Sequence, residues 1–272
     1  MTRIAKPWSQ CPPATLRRVA GLFTDIDDTL TRAGAIDPPA LAALHDLRRA
    51  GLPVVAITGR PLGWSEPFAR AWPLDAIVAE NGGVALIRDS DGQGSDGLHI
   101  EFAQEARTRA ANHARLQAAL ARVLRDVPGA SAAADSAGRV TDIAIDHSEF
   151  TQLAPEQIDQ VAALMRAEGL HATVSSIHIN GWIGEHDKLS AAHWMVRRLY
   201  GRELSAEIDR WIYIGDSPND QRMFEAFALS VGVANLRCHA ALLQQWPRWI
   251  TVGERGAGVA EVAARLLEAL AA

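Results

Sequence analysis

The densest chemistry in this chain lies in one short stretch, Asp25-Ile26-Asp27-Asp28-Thr29. Three carboxylates in four positions follow Leu22 and Phe23, which with Ile26 supply the apolar side chains of a short buried strand. Neighbouring like charges repel and raise one another's pKa, so the cluster is costly by itself. A hard divalent cation relieves that cost, and oxygen-only ligands at a strand end suit Mg²⁺. An isolated Asp-x-Asp is more often a solvated acidic turn, so the later chain must decide. Thr58-Gly59-Arg60-Pro61 ends an apolar run over 53–57 and puts a hydroxyl and a glycine where a helix should start. That could cradle a phosphate, although a plain turn fits the same residues. Lys188 falls in the first turn of a helix predicted over 187–200. A cation there opposes the macrodipole, so it is better explained by a task than by stability. Gly215-Asp216-Ser217-Pro218-Asn219-Asp220 closes a further buried run over 211–214.

These residues need elements to position them. The first strand, a helix opened by a capping Asp37 with Pro38 and closed by Gly51, and the strand over 53–57 make a β-α-β unit. Such a unit implies a parallel sheet with a right-handed crossover. A third apolar run over 76–79 ends in Glu80-Asn81-Gly82-Gly83. From Val84 the periodicity changes. Runs over 84–87 and 98–102 flank a glycine-rich connection over 89–97, the pattern of a hairpin. A long helix follows with Leu116, Leu120, Val123, Leu124 and Val127 as its apolar stripe. Then come a strand over 140–145, a helix from Pro155 buried along Ile158, Val161 and Met165, and one strand over 174–179. After Trp182 the α/β pattern returns, with strands over 211–214, 228–233 and 249–252. A last helix over 258–270 would bury Val259, Val262, Leu266 and Leu270, and residues 1–20 look like a loose lead-in. The expected fold class is α/β, a Rossmann-like parallel-sheet core with an inserted α+β cap. The expected division is 1–83 and 184–272 for the core and 84–183 for the cap. In open parallel sheets ligands gather at the carboxyl ends of strands, where Asp25, Asp27, Thr58, Asp216 and Asp220 would all fall.

With these four stretches in this order, the sequence resembles the haloacid dehalogenase-like (HAD) hydrolase superfamily. Asp25-Ile26-Asp27-Asp28-Thr29 matches its first motif, Thr58 its second, Lys188 its third, and Gly215-Asp216-x-x-x-Asp220 its fourth. The insert resembles the type IIB cap of Cof-like phosphatases, an architecture shared by sucrose-phosphate, trehalose-phosphate and mannosyl-3-phosphoglycerate phosphatases. The resemblance implies that Asp25 is the nucleophile, forming an aspartyl-phosphate, and that Asp27 is the acid and base. It implies that Mg²⁺ is held by Asp25, the main-chain carbonyl of Asp27 and Asp216, with Asp220 beside them. It also implies that Thr58, Gly59 and Lys188 bind the phosphoryl oxygens. Two positions depart from the family pattern: Asp28 stands where glycine is frequent, and Leu189 where a glycine often follows the lysine.

The implied activity is a Mg²⁺-dependent phosphomonoesterase acting on a small phosphorylated metabolite such as a sugar phosphate. The cap would supply specificity, with His178 and Asn180 at its last strand the best-placed contacts and Arg139 and His147 weaker candidates. A phosphomutase of the phosphomannomutase type shares the core and cap and is the alternative. A phospho-accepting signalling module also combines acidic residues, Thr and Lys, but the acid/base carboxylate and the long insert argue against it. Composition agrees with a globular rather than disordered chain: 272 residues, 48% hydrophobic and 22% charged, with a formal net charge of -5. That charge argues against a nucleic-acid surface, and no apolar run reaches membrane-span length. Cys11 and Cys238 are too far apart and too isolated for a disulfide framework or a zinc site. The expectation is a soluble, cytoplasmic protein, a monomer or homodimer.

Overall fold

The computed structural model describes residues 5–88 and 97–272, and these divide into two compact units. One comprises residues 1–58, 71–77 and 188–272, the other residues 59–70 and 78–187. Residues 59–70 and 78–83, which the sequence pattern groups with the core, thus cluster with the second unit. Their polar groups explain it. The Gly59 carbonyl accepts from Arg139 and Asn180, and the Glu80 carboxylate accepts from the backbone of Val140 and Thr141.

The first unit is built on a parallel sheet. Its strands run in the spatial order Lys6–Pro7, Trp249–Ile250, Leu229–Gly232, Trp211–Gly215, Gly21–Thr24, Val54–Ile57. The four central strands are buried throughout, as continuous apolar runs in a sheet covered on both faces should be. Register pairs Ile214 with Thr24 and Thr24 with Ala56, so three neighbouring strands end level with one another. Helices Pro38–Arg49 and Arg255–Ala271 pack on each other, and helix Lys188–Tyr200 follows the second unit in the chain.

Several expectations need correction here. Within the expected loose lead-in, residues 5–20 are ordered against the core. Trp8, Cys11 and Leu16 are fully buried, and Lys6–Pro7 adds an edge strand beside Trp249–Ile250, with the Trp8 and Trp249 rings edge to face. Pro12 and Pro13 stand at the N-cap and first position of a helix of one turn, Pro13–Leu16. Asp37 precedes its helix but makes no capping bond, because its carboxylate instead accepts from Arg32 and from the Gly256 N–H. Leu270 is 39% exposed, since the helix buries Val259, Val262, Leu266 and Ala269 and turns its end outward.

The second unit holds a four-stranded antiparallel sheet in the order His171–Val174, His178–Trp182, Asp142–Asp146, Ser131–Ala132. Helices Ala106–Asp126 and Pro155–Ala167 pack with it around Leu116, Val123, Ile143, Ile145, Val161, Met165 and Ile179. The single strand expected over 174–179 is in fact a hairpin. Residues 175–177 form its turn, closed by Ser175 N–H to the His178 carbonyl at 2.8 Å and His178 N–H to Ser175 Oγ at 3.0 Å. A serine hydroxyl supplies the turn that no Gly or Pro announced. Leu124, expected in the helix stripe, is 39% exposed, and Ala119 takes the buried place. Strands Val84–Arg88 and Leu98–Phe102 pair antiparallel as expected, while residues 89–96 of their connection lie outside the described residues.

Candidate active site

Asp25, Thr58 and Asp216 each follow the last residue of a strand, and the three strands are neighbours in one parallel sheet. Strand order alone therefore puts them on one edge. Asp25 is anchored there by its own N–H, which donates to the Ile214 carbonyl at 2.8 Å, and Thr24 Oγ1 donates to the Asp25 carbonyl at 2.8 Å.

The chain then turns sharply. The N–H groups of Thr29, Leu30 and Thr31 all donate to the Ile26 carbonyl, and Asp28 sits in the left-handed region at φ 54°. Asp is one of the few residues with a side chain that adopts this conformation readily. That accounts for glycine elsewhere at this place, and for what the carboxylate adds here. Asp28 Oδ1 accepts from Arg255 Nε at 2.7 Å, and its carbonyl accepts from Asn235 Nδ2 at 2.9 Å. Asn235 also bonds the Arg255 N–H and reaches Asp216 Oδ2 at 3.3 Å. The turn after the first strand and Asp216 are thus tied to the same amide.

Lys188 begins helix Lys188–Tyr200 and is 5% exposed. Its ammonium donates to Asp25 Oδ1 at 2.6 Å and to Asp220 Oδ1 at 2.7 Å. Asp220 accepts four donors: Lys188 and the Tyr213 hydroxyl on Oδ1, and the N–H groups of Asp216 and Ser217 on Oδ2. It folds the 216–220 loop and aims Lys188. Gly215 makes room for it, since a Cβ there would stand 2.4 Å from Asp220 Oδ2. Leu189 after the lysine does not disturb the arrangement.

Carboxylate oxygens of Asp25, Asp216 and Asp220 all lie within 4.8 Å of one another. Burial pushes the Asp25 carboxyl up to about 7 against the pull of Lys188, with Asp220 and Asp27 adding to the rise. Asp216 is driven well above the carboxylate range by burial and then by Asp25 and Asp220. Its oxygens meet neutral donors, Thr29 Oγ1 at 3.5 Å and Asn235 Nδ2 at 3.3 Å. A buried oxygen-only cluster short of positive charge is what a hard divalent cation fits. Asp25 and Asp216 have the oxygens to hold one. Asp220 is already engaged by its four donors and suits a supporting part.

Gly59, His178 and Asn180 lie in the second unit, all but hidden from solvent at the last two. His178 Nε2 is 3.0 Å from Glu149 Oε2, and Glu149 also takes Arg60 Nη2 at 2.7 Å. Asn180 Nδ2 donates to the Gly59 carbonyl at 3.2 Å and to Asp142 Oδ2 at 3.1 Å. Arg139 is buried with them, and the His147 ring bonds the Ser175 carbonyl at 3.0 Å. Sequence reasoning gave no part to Tyr213, Asn235, Arg255 or Glu80. A tyrosine in a buried strand reads as core. Asn235 offered one faint signal, its place just beyond the carboxyl end of strand Leu229–Gly232.

Residues 22–111 match the family of haloacid dehalogenase-like hydrolases. A phosphoglycolate phosphatase of Methanosarcina mazei is 29% identical over 222 residues, covering 79% of this chain and 83% of that one. The sucrose-phosphatase of Synechocystis sp. PCC6803, solved with sucrose and phosphate, superposes with a TM-score of 0.64 at 18% identity. That match covers 91% of this chain and 98% of the other. The C-terminal domain of C. albicans trehalose-6-phosphate phosphatase gives 0.67 at 13% identity over 97% and 99% of the two chains. At those identities the structures share the fold. Residues 22–111 are thus similar to haloacid dehalogenase-like hydrolases, and most of the chain's length is similar to phosphoglycolate phosphatases. No helix among the described residues is long and apolar enough to cross a membrane.

Proposed function

We propose that this chain is a magnesium-dependent phosphomonoesterase that hydrolyses a small phosphorylated metabolite through an aspartyl-phosphate on Asp25. The observation that carries the reading is the Asp25 carboxylate at a strand end, with Lys188 Nζ 2.6 Å from one oxygen and Asp216 close by. Asp25 attacks phosphorus, and the bond to the leaving oxygen breaks. Asp27, two residues on and half-buried, gives its proton to that oxygen and then takes one from the water that hydrolyses the acyl phosphate. Lys188 neutralises the phosphoryl oxygens while holding Asp25 in line, and Thr58 and Gly59 offer a hydroxyl and backbone at the next strand end. Mg²⁺, held by Asp25, Asp216 and the Asp27 carbonyl, would supply charge neutralisation at the transferring group.

Within the second unit, residues 84–183 are assigned the selection of the leaving group, with His178 the first residue to test. Phosphoglycolate and sugar phosphates are the substrate classes to try first, because the relatives and fold neighbours carry those names. The test is a screen of phosphorylated metabolites scored by phosphate release. Release should need Mg²⁺, vanish in EDTA and return with Mg²⁺, while Ca²⁺ restores little because it prefers a larger, looser sphere. Full turnover in metal-free buffer contradicts the metal's part, and dependence on an added bisphosphate with little phosphate released points to a mutase. His178→Ala should raise KM for the preferred substrate more than for p-nitrophenyl phosphate; equal effects on both remove His178 from selection.

A further inference from the structure

We propose that Arg139 and Asn180 are positioning residues for the loop after Thr58, setting its phosphate-binding backbone through the Gly59 carbonyl. The inference rests on the reading that Thr58 and Gly59 hold the phosphoryl group.

The argument is one of donor accounting. Asn180 Nδ2 carries two hydrogens, and the Gly59 carbonyl at 3.2 Å and Asp142 Oδ2 at 3.1 Å take both. Arg139 Nη1 donates to the same carbonyl at 3.0 Å and to both Asp142 oxygens at 2.9 Å. Its Nε and Nη2 go to Asp135 Oδ1 at 3.1 and 2.9 Å. Both amide hydrogens of Asn180 and four of the five N–H groups of Arg139 are thus spent on the loop and on the carboxylates that hold them.

The loop is held on its other side too. Arg60, the next residue, donates to Asp135 Oδ2 at 3.2 Å and to Glu149, so one carboxylate joins Arg139 to Arg60. Gly59 lies close against the clamp, so an added side chain would make its neighbours give by a few tenths of an ångström. A Cβ would stand 3.1 Å from Asn180 Oδ1 and 3.3 Å from Asn81 Nδ2. Arg139, Asp142 and Asn180 are all more than nine-tenths buried, as befits parts that fix a peptide rather than meet solvent. Because Gly59 is the covalent neighbour of Thr58, its peptide cannot shift without moving the Thr58 backbone. A displacement of about 1 Å at such a place is enough to cost on the order of a hundredfold in rate.

The test compares wild type with Asn180→Ala, Gly59→Ala and the double variant. Inorganic phosphate serves as competitive inhibitor, and two phosphoesters with unlike leaving groups serve as substrates. For Asn180→Ala the phosphate inhibition constant should weaken by about tenfold. The kcat/KM should fall alike for both substrates, as expected for a loosened loop. Gly59→Ala presses on the clamp from the other side and should weaken phosphate in the same way. Removing the Asn180 side chain gives the added methyl room, so the double loss should be smaller than the product of the single losses. A phosphate constant within twofold of wild type in folded Asn180→Ala overturns the proposal. So does a shift in the ratio of the two substrates, which makes Asn180 a leaving-group contact. So does a double variant whose loss equals the product. If Asn180→Ala does not fold, Asn180→Ser, which keeps a small donor, is read by the same constants. A wild type that releases no phosphate with Mg²⁺ defeats the proposed function. An active wild type with unchanged phosphate inhibition in the variant defeats only the clamp.

Discussion

Replacing Lys188 by Met tests the centre of the site, because the substitution keeps most of the bulk of the side chain and removes its charge and its two hydrogen bonds. Lys188 is 5% exposed, and its ammonium is shared between Asp25 Oδ1 at 2.6 Å and Asp220 Oδ1 at 2.7 Å. Removing one partner of a buried pair leaves charge without compensation and costs about 3–5 kcal/mol. For a chain of this length that corresponds to a fall in melting temperature on the order of 10 °C. The melt should be recorded first in EDTA. Added Mg²⁺ binds the folded carboxylates and not the unfolded chain, and at about a hundred times its dissociation constant it returns nearly 3 kcal/mol. Because Asp25 loses the cation bonded to it, the variant should gain more from Mg²⁺ than wild type does. Turnover should fall by about 10²–10³, the usual cost of losing one charge-stabilising donor. A variant that melts within about 2 °C of wild type in EDTA, or that gains no more from Mg²⁺, refutes the reasoning, since such losses follow for any buried pair.

Asp25→Asn should abolish phosphate release while leaving the circular dichroism spectrum unchanged, and substantial turnover would remove Asp25 as nucleophile. Asp27→Asn should be nearly inactive yet accumulate phosphorylated enzyme from a substrate with a good leaving group, which intact-mass measurement detects. Tyr213→Phe deletes the hydroxyl that donates to Asp220 while Phe224 and Phe227 still pack against the ring. It should cost about 1–2 kcal/mol in denaturant unfolding and lower the rate modestly; an unchanged midpoint would show the bond contributes nothing. Glu149 is held at about 2, first by the His178 ring and then by Arg60, against an ordinary 4.5. A depressed carboxyl adds stability above its unfolded value that is lost as pH falls through the folded one. The contribution should therefore disappear between about pH 4.5 and 2, and Glu149→Gln should flatten that part of the acid-unfolding curve.

The sequence by itself determined the parallel core and pointed to most of the residues of the candidate site. Continuous apolar runs ending in Asp25, Thr58 and Asp216 can be buried only as central strands, and parallel strands put their carboxyl ends on one edge. Lys188 was legible because a cation in the first turn of a helix works against the macrodipole. Local pattern could not show what each side chain touches. Asp220 follows its strand as a metal ligand might, yet its oxygens go to Lys188, Tyr213 and two backbone N–H groups. Tyr213 looks apolar in a one-dimensional pattern, and only the folded chain turns its hydroxyl to Asp220. Asn235 and Arg255 lie more than 200 residues beyond Asp28, and only packing brings them to that turn. The edge strand Lys6–Pro7 is two residues long, too short to carry a period, and it exists because Trp249–Ile250 offers it a partner. The hairpin at residues 175–177 was hidden for a related reason. Its turn is closed by a serine hydroxyl and cross-strand bonds, and such bonds appear only when the strands they join have met.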